Sequence, residues 1–260
     1  MFAVGIDIGS TASKAVVVDE NGAVKSKAIV PIGTGTVGPE RVFTQVLDQA
    51  CLTRDDIAWI TATGYGRFSF EGINDQRSEL SCHAKGISQL LPGTRTIIDI
   101  GGQDIKVMRI GEKGQLQNFV MNDKCAAGTG RFLDTMAKVL NVDVTDLSEL
   151  SFRADRPAEI SSTCTVFAES EVISKLAANI KLENIVSGIH KSVARRVASL
   201  VQRVGIVPNV AMSGGVALNS GLVSSLEEEI RCQINVHEDC QLAGALGAAL
   251  FACRSMLSSG

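Results

Sequence analysis

One short sequence occurs twice in this chain, and the repetition constrains the fold more than any other feature. Ile6-Asp7-Ile8-Gly9-Ser10 corresponds to Ile98-Asp99-Ile100-Gly101-Gly102, and at the same offset Lys14 corresponds to Lys106 and Gly22 to Gly114. In both copies a β-branched strand runs into a glycine turn, a second strand and a hairpin. A register shared over about 25 residues indicates an internal duplication.

The two halves continue differently after the repeated segment. The first half has helical patterns at 39–50 and 79–91 and ends at Pro92-Gly93. The second half has helical patterns at 129–140, 166–178 and 184–204, a strand at 209–212 and a small-residue helix at 242–252. We predict an α/β protein with one lobe over residues 1–93 and a second over residues 94–260, fused across a cleft.

Composition and charge exclude several classes of protein. The chain is 45% hydrophobic and 20% charged, which is typical of a folded domain. Its 25 basic and 28 acidic residues are interspersed, so we predict no nucleic-acid partner. Apolar stretches at 209–218 and 242–252 are shorter than the roughly 20 residues of a membrane span. No basic residue precedes Asp7, so we predict no signal peptide and a cytoplasmic location.

The repeated turn is typical of phosphate binding. Asp7 ends a buried strand, and the small residues after it leave backbone N–H groups accessible to phosphate oxygens. Asp99 and its glycines repeat this arrangement in the second half. We predict that Asp7 and Asp99 bind Mg²⁺ directly or through water, and that Gln103 orients the attacking water or senses the terminal phosphate. For one such turn alone, a purely structural role is the alternative.

A third glycine turn, Ser213-Gly214-Gly215-Val216-Ala217, follows an apolar strand and suits packing against adenine or ribose. An ordinary strand-to-helix turn is the alternative. Lys14 either pairs with a phosphate or lines an edge strand. The residues that we predict to bind nucleotide are Gly9, Ser10, Thr11, Ala12, Ser13, Lys14, Gly101, Gly102, Gly214, Gly215 and Val216.

Together, the three turns resemble the two phosphate segments and the adenosine segment of the actin, Hsp70 and sugar-kinase superfamily. The resemblance implies a duplicated ribonuclease-H-like fold with two lobes around a nucleotide cleft that opens and closes. It also implies that the helix at 242–252 connects the lobes and lets them hinge. The fold alone does not choose among kinase, chaperone, filament and ATPase.

Two of the seven cysteines, Cys125 and Cys164, are candidates for a metal site. The pattern places both at helix starts, where the helix dipole favours a thiolate. Their separation matches no zinc or ferredoxin motif, so inert buried thiols are the alternative. An iron–sulfur cubane generally takes four cysteines, which two chains related by a two-fold axis would supply. We predict that the other cysteines have no metal role, with Cys51, Cys82 and Cys253 in the core.

Six segments closely resemble the activator component of (R)-2-hydroxyacyl-CoA dehydratases, and the resemblance continues through Met212–Ala217 and Gly244–Ala249 to cover essentially the whole chain. They are Gly5-Ile-Asp-Ile-Gly-Ser-Thr-Ala-Ser-Lys14, Ala62-Thr-Gly-Tyr-Gly-Arg67, Glu79-Leu-Ser-Cys-His-Ala84, Asp99-Ile-Gly-Gly-Gln-Asp104, Asn122-Asp-Lys-Cys-Ala-Ala-Gly-Thr-Gly-Arg131 and Ser161-Ser-Thr-Cys-Thr-Val-Phe-Ala-Glu-Ser-Glu171.

The family resemblance implies a homodimer in which Cys125 and Cys164 of both chains bind one 4Fe-4S cluster. It implies one ATP and Mg²⁺ site per subunit, whose turnover drives one electron at low potential to the dehydratase component for radical dehydration. Reduced ferredoxin or flavodoxin would supply the electron. Nucleotide can drive such a transfer only by binding two conformations with different affinity.

Three alternatives remain at this point. An N-acetylhexosamine-type sugar kinase would need an Asn-Asp-Ala segment with a base, where this chain has Glu79-Leu-Ser-Cys-His-Ala84. A chaperone-like nucleotide switch would not need the paired cysteines. The ATPase subunit of a benzoyl-CoA-type reductase uses the same parts with another partner. We expect no chemistry from the glycine loop Thr63-Gly-Tyr-Gly-Arg67; the alternatives are that it docks the dehydratase component or contributes to the cleft.

Overall fold

The structure is a computed structural model that describes residues 1–161 and 164–259. The chain divides into two compact units. The first comprises Met1–Thr94, Ile110–Gln117 and His237–Gly260, and the second comprises Arg95–Arg109 and Asn118–Val236.

A five-stranded sheet of order β3-β2-β1-β4-β5 forms the centre of the first unit. Its strands are β1 (Phe2–Ile8), β2 (Ser13–Asp19), β3 (Val24–Val30), β4 (Ile57–Thr63) and β5 (Asp75–Gln76). β1 pairs antiparallel with β2 and parallel with β4. Every β1 residue after Phe2 is buried, because helices cover both faces of the sheet.

Three helices complete the first unit. α1 (Gly38–Gln49) packs on one face of the sheet, where Phe43 and Val46 join the side chains of Val4 and Ile6. The last helix of the chain, α8 (Ala243–Ser259), packs on the other face against β1 and β4. α2 (Glu79–Leu90) packs against α8.

The second unit has a matching sheet of order β10-β9-β6-β7-β8. Its strands are β6 (Thr96–Ile100), β7 (Ile105–Ile110), β8 (Leu116–Asn122), β9 (Val210–Ser213) and β10 (Ile234–Val236). The last residue of β7 and the first two of β8 fall in the segment Ile110–Gln117 that is assigned to the first unit. Its helices are α3 (Gly130–Leu140), α4 (Leu147–Phe152), α5 (Thr165–Ala177), α6 (Leu182–Val204) and α7 (Ser220–Ile230). α6 carries the main apolar stripe and packs against α4 and α7.

The backbone confirms the internal duplication. Asp7 lies opposite Lys14 across β1 and β2, and Asp99 lies opposite Lys106 across β6 and β7. Gly22 and Gly114 both have positive φ values, +78° and +74°, in the hairpins that follow. The two sheets also share strand order, because β4 and β9 add parallel to the first strand of each repeat. The same architecture is therefore built twice.

The division into units differs from the predicted boundaries of 1–93 and 94–260. The last segment, from His237, returns to the first unit, because the apolar face of α8 is buried on β1 and β4. Small residues make this packing close: a Cβ on Gly5 would lie 2.1 Å from the Ala245 carbonyl oxygen. The small residues of this helix thus allow close packing within the first unit, and the hinge that the resemblance implies stays a prediction.

α8 is longer than the predicted span of 242–252, and this changes the membrane argument. Cys240–Ser258 is long and apolar enough to cross a membrane by length and composition, so the predicted shortness was wrong. However, 67% of that window is buried inside the structure. Its burial against β1 and β4 identifies it as a core helix of the first unit.

Candidate nucleotide turns and cysteine site

The first predicted phosphate turn connects β1 to β2. The Gly9 N–H donates to the Ala12 carbonyl oxygen at 3.1 Å, and the Ser13 hydroxyl donates to the Ile32 carbonyl oxygen at 2.8 Å. In the described chain, the N–H groups of Ser10 and Thr11 donate no hydrogen bond to protein. The turn therefore has the free backbone donors that phosphate oxygens require.

Asp7 is buried at the end of β1 and combines a paired and an unpaired oxygen. Its Oδ2 lies 3.2 Å from the Lys14 Nζ. Its Oδ1 is buried and has no hydrogen-bond partner among the described residues. Buried carboxylate oxygens are normally satisfied, so this one calls for a ligand or water. Lys14 itself lies on β2, which is flanked by β1 and β3, so the edge-strand interpretation is wrong.

The glycine loop after β4 packs directly on this first turn. The Gly66 N–H donates to the Ile8 carbonyl oxygen at 2.8 Å. Gly64 has a φ of +87°, and a Cβ there would lie 2.5 Å from the Asp7 Oδ1. Gly244, at the start of α8, is also close, because its Cβ would lie 3.0 Å from the Asp7 Oδ2. The loop backbone therefore forms part of the Asp7 surroundings, and our expectation that the loop carries no chemistry stays a prediction.

The second turn has the same backbone geometry. The Gly101 N–H donates to the Asp104 carbonyl oxygen at 3.0 Å, at the position that corresponds to the bond between Gly9 and Ala12. The carbonyl oxygens of Gly101 and Gly102 accept from the N–H groups of Gly130 and Arg131, both at 2.9 Å. These bonds tie the turn to the start of α3. Gln103 is exposed in the turn, so its amide is accessible to a ligand.

Both carboxylate oxygens of Asp99 have partners, unlike those of Asp7. The Ser213 hydroxyl donates to its Oδ1 at 2.7 Å, and the Lys106 Nζ lies 3.3 Å from its Oδ2. Lys106 is fully buried and forms a second ion pair with Asp104 at 2.7 Å. The sequence repeat aligns Lys106 with Lys14, but we assigned Lys106 no role. That alignment was the signal from which the ion pairs of Lys106 with Asp99 and Asp104 could have been predicted.

The third turn packs on the second. Gly214 has a φ of +84°, and a Cβ there would lie 2.2 Å from the Ile100 carbonyl oxygen. Gly215–Leu218 forms a 3-10 turn, and Asn219 caps α7 by accepting from the Leu222 N–H at 3.0 Å. The predicted order of strand, glycine turn and helix is confirmed, with a short 3-10 turn added between them.

Cys125 lies outside the predicted helix start. α3 begins at Gly130, and Cys125 lies in the irregular segment that connects β8 to α3. The Asn122 side-chain amide donates to the Cys125 carbonyl oxygen at 3.0 Å. The thiol is partly exposed. The helix-dipole argument therefore does not apply to this cysteine.

Cys164 is the N-cap residue of α5, as the sequence pattern predicted, and its thiol is exposed. The Cys164 carbonyl oxygen accepts from the Ala168 N–H at 2.9 Å. Within the described ranges, neither Cys125 nor Cys164 belongs to a cluster of three or more His, Cys, Asp or Glu ligands. Residues 162 and 163 of the predicted cysteine segment lie outside the described chain.

The remaining cysteines divide by burial. Cys82, Cys240 and Cys253 are buried, and burial raises the pKa of the Cys82 thiol to about 12, which keeps it protonated. Cys51 is exposed with a φ of +54° in the turn after α1, so its predicted core position was wrong. Cys51 and Cys164 are the exposed cysteines, and Cys125 and Cys232 are intermediate.

Two matching sheets, each with an aspartate and a glycine turn after its central strand, define a nucleotide-binding protein of the duplicated ribonuclease-H-like class. Comparison with known proteins narrows this class. The chain belongs to the BadF/BadG/BcrA/BcrD ATPase family, whose model matches residues 4–252. The predicted fold class and family membership are both confirmed.

The chain is 54% identical over 252 residues to the 2-hydroxyisocaproyl-CoA dehydratase activator of Clostridioides difficile, covering 97% of this chain and 95% of that protein. It is 53% identical over 253 residues to the (R)-2-hydroxyglutaryl-CoA dehydratase activating ATPase of Acidaminococcus fermentans, covering 97% of each.

Solved structures support the same assignment. The Clostridium difficile activator with bound ADPNP superposes with a TM-score of 0.97 at 53% identity, covering 100% of this chain and 97% of that one. A ROK family glucokinase from Streptomyces griseus gives a TM-score of 0.60 at 14% identity, covering 98% and 100%. The glucokinase likeness concerns the fold alone.

Proposed function

We propose that this protein is an ATP-driven activator of a 2-hydroxyacyl-CoA dehydratase that transfers single electrons to that partner. One observation carries the proposal: backbone hydrogen bonds join the glycine turn at Gly101 and Gly102 to the first residues of α3, and the segment that leads into α3 contains Cys125. A nucleotide turn and a thiol ligand thus share one short stretch of chain. The identity to dehydratase activators over nearly the whole chain agrees with this assignment.

The nucleotide part of the proposal rests on the two turns. The N–H groups of Ser10 and Thr11 are free in the first turn, and Gln103 is exposed in the second, so each turn is suited to phosphate oxygens of ATP. The unsatisfied Oδ1 of Asp7 fits Mg²⁺, either as a ligand or through bound water. Asp99, fixed by Ser213 and Lys106, would orient a water, and Gln103 would position the water that attacks.

The metal part rests on Cys125 and Cys164. Both thiols are accessible, and neither belongs to a group of three or more ligands among the described residues, which fits a site to which each chain contributes only part of the donor set. Two chains would supply the four thiolates that a 4Fe-4S cluster takes. When bound, such a cluster supplies a one-electron carrier. The protein's own task is to present these thiols, since a thiolate at the N-cap of α5 is favoured by the helix dipole.

A homodimer is also proposed from the surface of α5. Val166 and Phe167 lie in the first turn of α5, two and three residues after Cys164, and are each 68% exposed. Ile173 lies about two turns further along the helix. Large apolar side chains grouped on an exposed helix are typical of an interface. A second copy that contacts this face would bring its own Cys164 to the same region.

The hydrogen bonds between the second glycine turn and α3 would couple nucleotide binding to the cysteine site. The carbonyl groups of Gly101 and Gly102 accept from α3, so a change in the turn between nucleotide states moves the start of α3. The chain between Cys125 and α3 transmits that movement to the thiol. Nucleotide changes the cysteine site only to the extent that it binds the two arrangements with different affinity. We further propose a cytoplasmic location and a reduced ferredoxin or flavodoxin as donor.

The cysteine assignment has a direct test with a matched control. Protein purified without oxygen should hold about four iron atoms per dimer. Cys125→Ser and Cys164→Ser should each lose the iron and keep ATP binding, because the thiols lie outside the phosphate turns. Cys51→Ser, which removes another exposed thiol, should keep the full iron content. Full iron in either of the first two variants, or an active metal-free dimer, would contradict the assignment.

The partner is tested by reconstitution. An inactive 2-hydroxyacyl-CoA dehydratase component should gain activity when this protein, ATP and a low-potential reductant are added. The alternative, the ATPase subunit of a benzoyl-CoA-type reductase, would instead support reduction of an aromatic thioester. A sugar kinase is disfavoured, because Glu79–Ala84 begins helix α2 and offers buried His83 and Cys82 where a kinase base would lie.

A further inference from the structure

The segment that leads to Cys164 is fastened to its own helix. The backbone N–H of Ser161 donates to both carboxylate oxygens of Glu171 at 3.1 Å. The Ser161 hydroxyl donates to the same two oxygens at 3.3 Å. Glu171 lies on α5, the helix that Cys164 caps, so these bonds connect chain on both sides of the cysteine. We call this set of bonds the Ser161–Glu171 clip.

Residues 158–160 are fastened separately to α6. The Ala158 N–H donates to the Asn184 carbonyl oxygen at 2.8 Å, and an Arg195 guanidinium N–H donates to the Ile160 carbonyl oxygen at 3.1 Å. A Cβ on Gly188 would lie 2.1 Å from the Ala158 carbonyl oxygen, so only glycine permits this approach. Ile160 is fully buried. The chain is therefore fixed up to Ile160, and the clip extends the fixed segment to Ser161.

We infer that Glu171 is a positioning residue for Cys164, an inference that rests on the proposed role of Cys164 as a metal ligand. A carboxylate accepts hydrogen bonds about twice as strong as those to a neutral acceptor. The clip holds Ser161, three residues before Cys164, against the helix that Cys164 caps, which reduces the conformations open to the thiol. A thiol held in this way loses less freedom when it binds a metal.

Glu171→Gln tests the inference, because glutamine keeps the shape of the side chain and removes the charge. Glu169→Gln is the matched control: the same change on the same helix, at a residue that accepts no hydrogen bond from Ser161. Hydrogen exchange at the Ser161 amide should be about tenfold faster in Glu171→Gln than in the control. Loss of iron from the anaerobic dimer to a chelator should be about fivefold faster, with ATP affinity unchanged.

Ser161→Ala provides a second, milder variant. It removes the hydroxyl bonds to Glu171 and keeps the backbone N–H bond, so iron loss should fall between that of wild type and that of Glu171→Gln. Faster amide exchange with iron retention equal to that of Glu169→Gln would overturn the inference. That failure differs from failure of the proposed function, which would show as a Cys164→Ser protein that keeps its iron.

Discussion

The stability of the second unit should depend on pH through His190. This residue lies on α6 and is completely buried, and burial lowers its pKa from 6.5 to about 4. The Asn219 side-chain amide donates to its Nε2 at 3.1 Å, while the Asn219 Oδ1 accepts from the Leu222 N–H. With the asparagine oriented by that second bond, His190 accepts at Nε2, so the neutral ring carries its proton on Nδ1.

The direction of the effect follows from proton binding. Between pH 6.5 and pH 4 the unfolded chain binds a proton at His190 that the folded protein does not bind. The free energy of unfolding is therefore highest above the unfolded pKa and decreases as the pH falls toward the folded pKa. From pH 7 to pH 5 this one group should remove about 2 kcal/mol, and the full loss near pH 4 should be about 3 kcal/mol.

Urea unfolding at pH 7 and pH 5 measures this effect in the metal-free protein. Circular dichroism should be the probe, because the single tryptophan, Trp59, lies on β4 in the first unit and does not report on α6. His190→Gln keeps an acceptor for Asn219 and removes the titrating ring. Its stability should fall about 2 kcal/mol less than that of wild type between the two pH values.

His237→Asn is the control, because His237 is only partly buried and asparagine can also accept the hydrogen bond from the Asp239 N–H. The control should show the pH dependence of wild type. If wild type and His190→Gln lose the same stability between pH 7 and pH 5, the burial argument for His190 is wrong.

Two further predictions concern the first turn. Asp7→Asn should keep the iron content and lower ATP hydrolysis at least tenfold, because it removes the charge that we propose to interact with Mg²⁺. Unchanged turnover in a steady-state ATPase assay would contradict this role of Asp7. Gly64→Ala should unfold at lower urea than Gly93→Ala, by about 1–3 kcal/mol, although both glycines have nearly the same φ, +87° and +86°. The Gly93 Cβ would meet nothing within 4 Å and that at Gly64 would meet Asp7, so equal stabilities would disprove the crowding.

The repeat predicted most of the fold because its physical basis is local. β-branched residues, the glycine turns and the Asn21-Gly22 hairpin specify strands and turns within a few residues. The predicted order of strand, glycine turn, strand and hairpin forms in both repeats, beginning with β1 (Phe2–Ile8) and β6 (Thr96–Ile100). The return of α8 to the first unit is a long-range choice, set by the fit of Gly5 to the Ala245 backbone, and no local pattern specifies it.

The local sequence pattern predicted the position of one cysteine correctly and those of two others incorrectly. Cys164 caps α5, and the pattern of polar residues followed by a helical run predicted this. Cys125 precedes Gly128, whose φ of +86° is incompatible with a right-handed helix. α3 therefore starts at Gly130, later than the pattern indicated. Cys51 takes a left-handed conformation that non-glycine residues rarely adopt, and its sequence context gives no sign of it.

The two sheets match in architecture, but the hydrogen bonds to Asp7 and to Asp99 differ. Thr63 lies opposite Asp7 in β4, and Ser213 lies opposite Asp99 in β9, at matching register positions. The Ser213 hydroxyl donates to Asp99, whereas the Thr63 hydroxyl donates to the Arg77 carbonyl oxygen at 3.0 Å. The Ser213 hydroxyl therefore satisfies the Oδ1 of Asp99, whereas the Thr63 hydroxyl leaves the Asp7 Oδ1 without a hydrogen-bond partner among the described residues. Since an open buried oxygen is what a cation can use, this difference supports the Mg²⁺ role that we propose for Asp7 and the water-orienting role that we propose for Asp99.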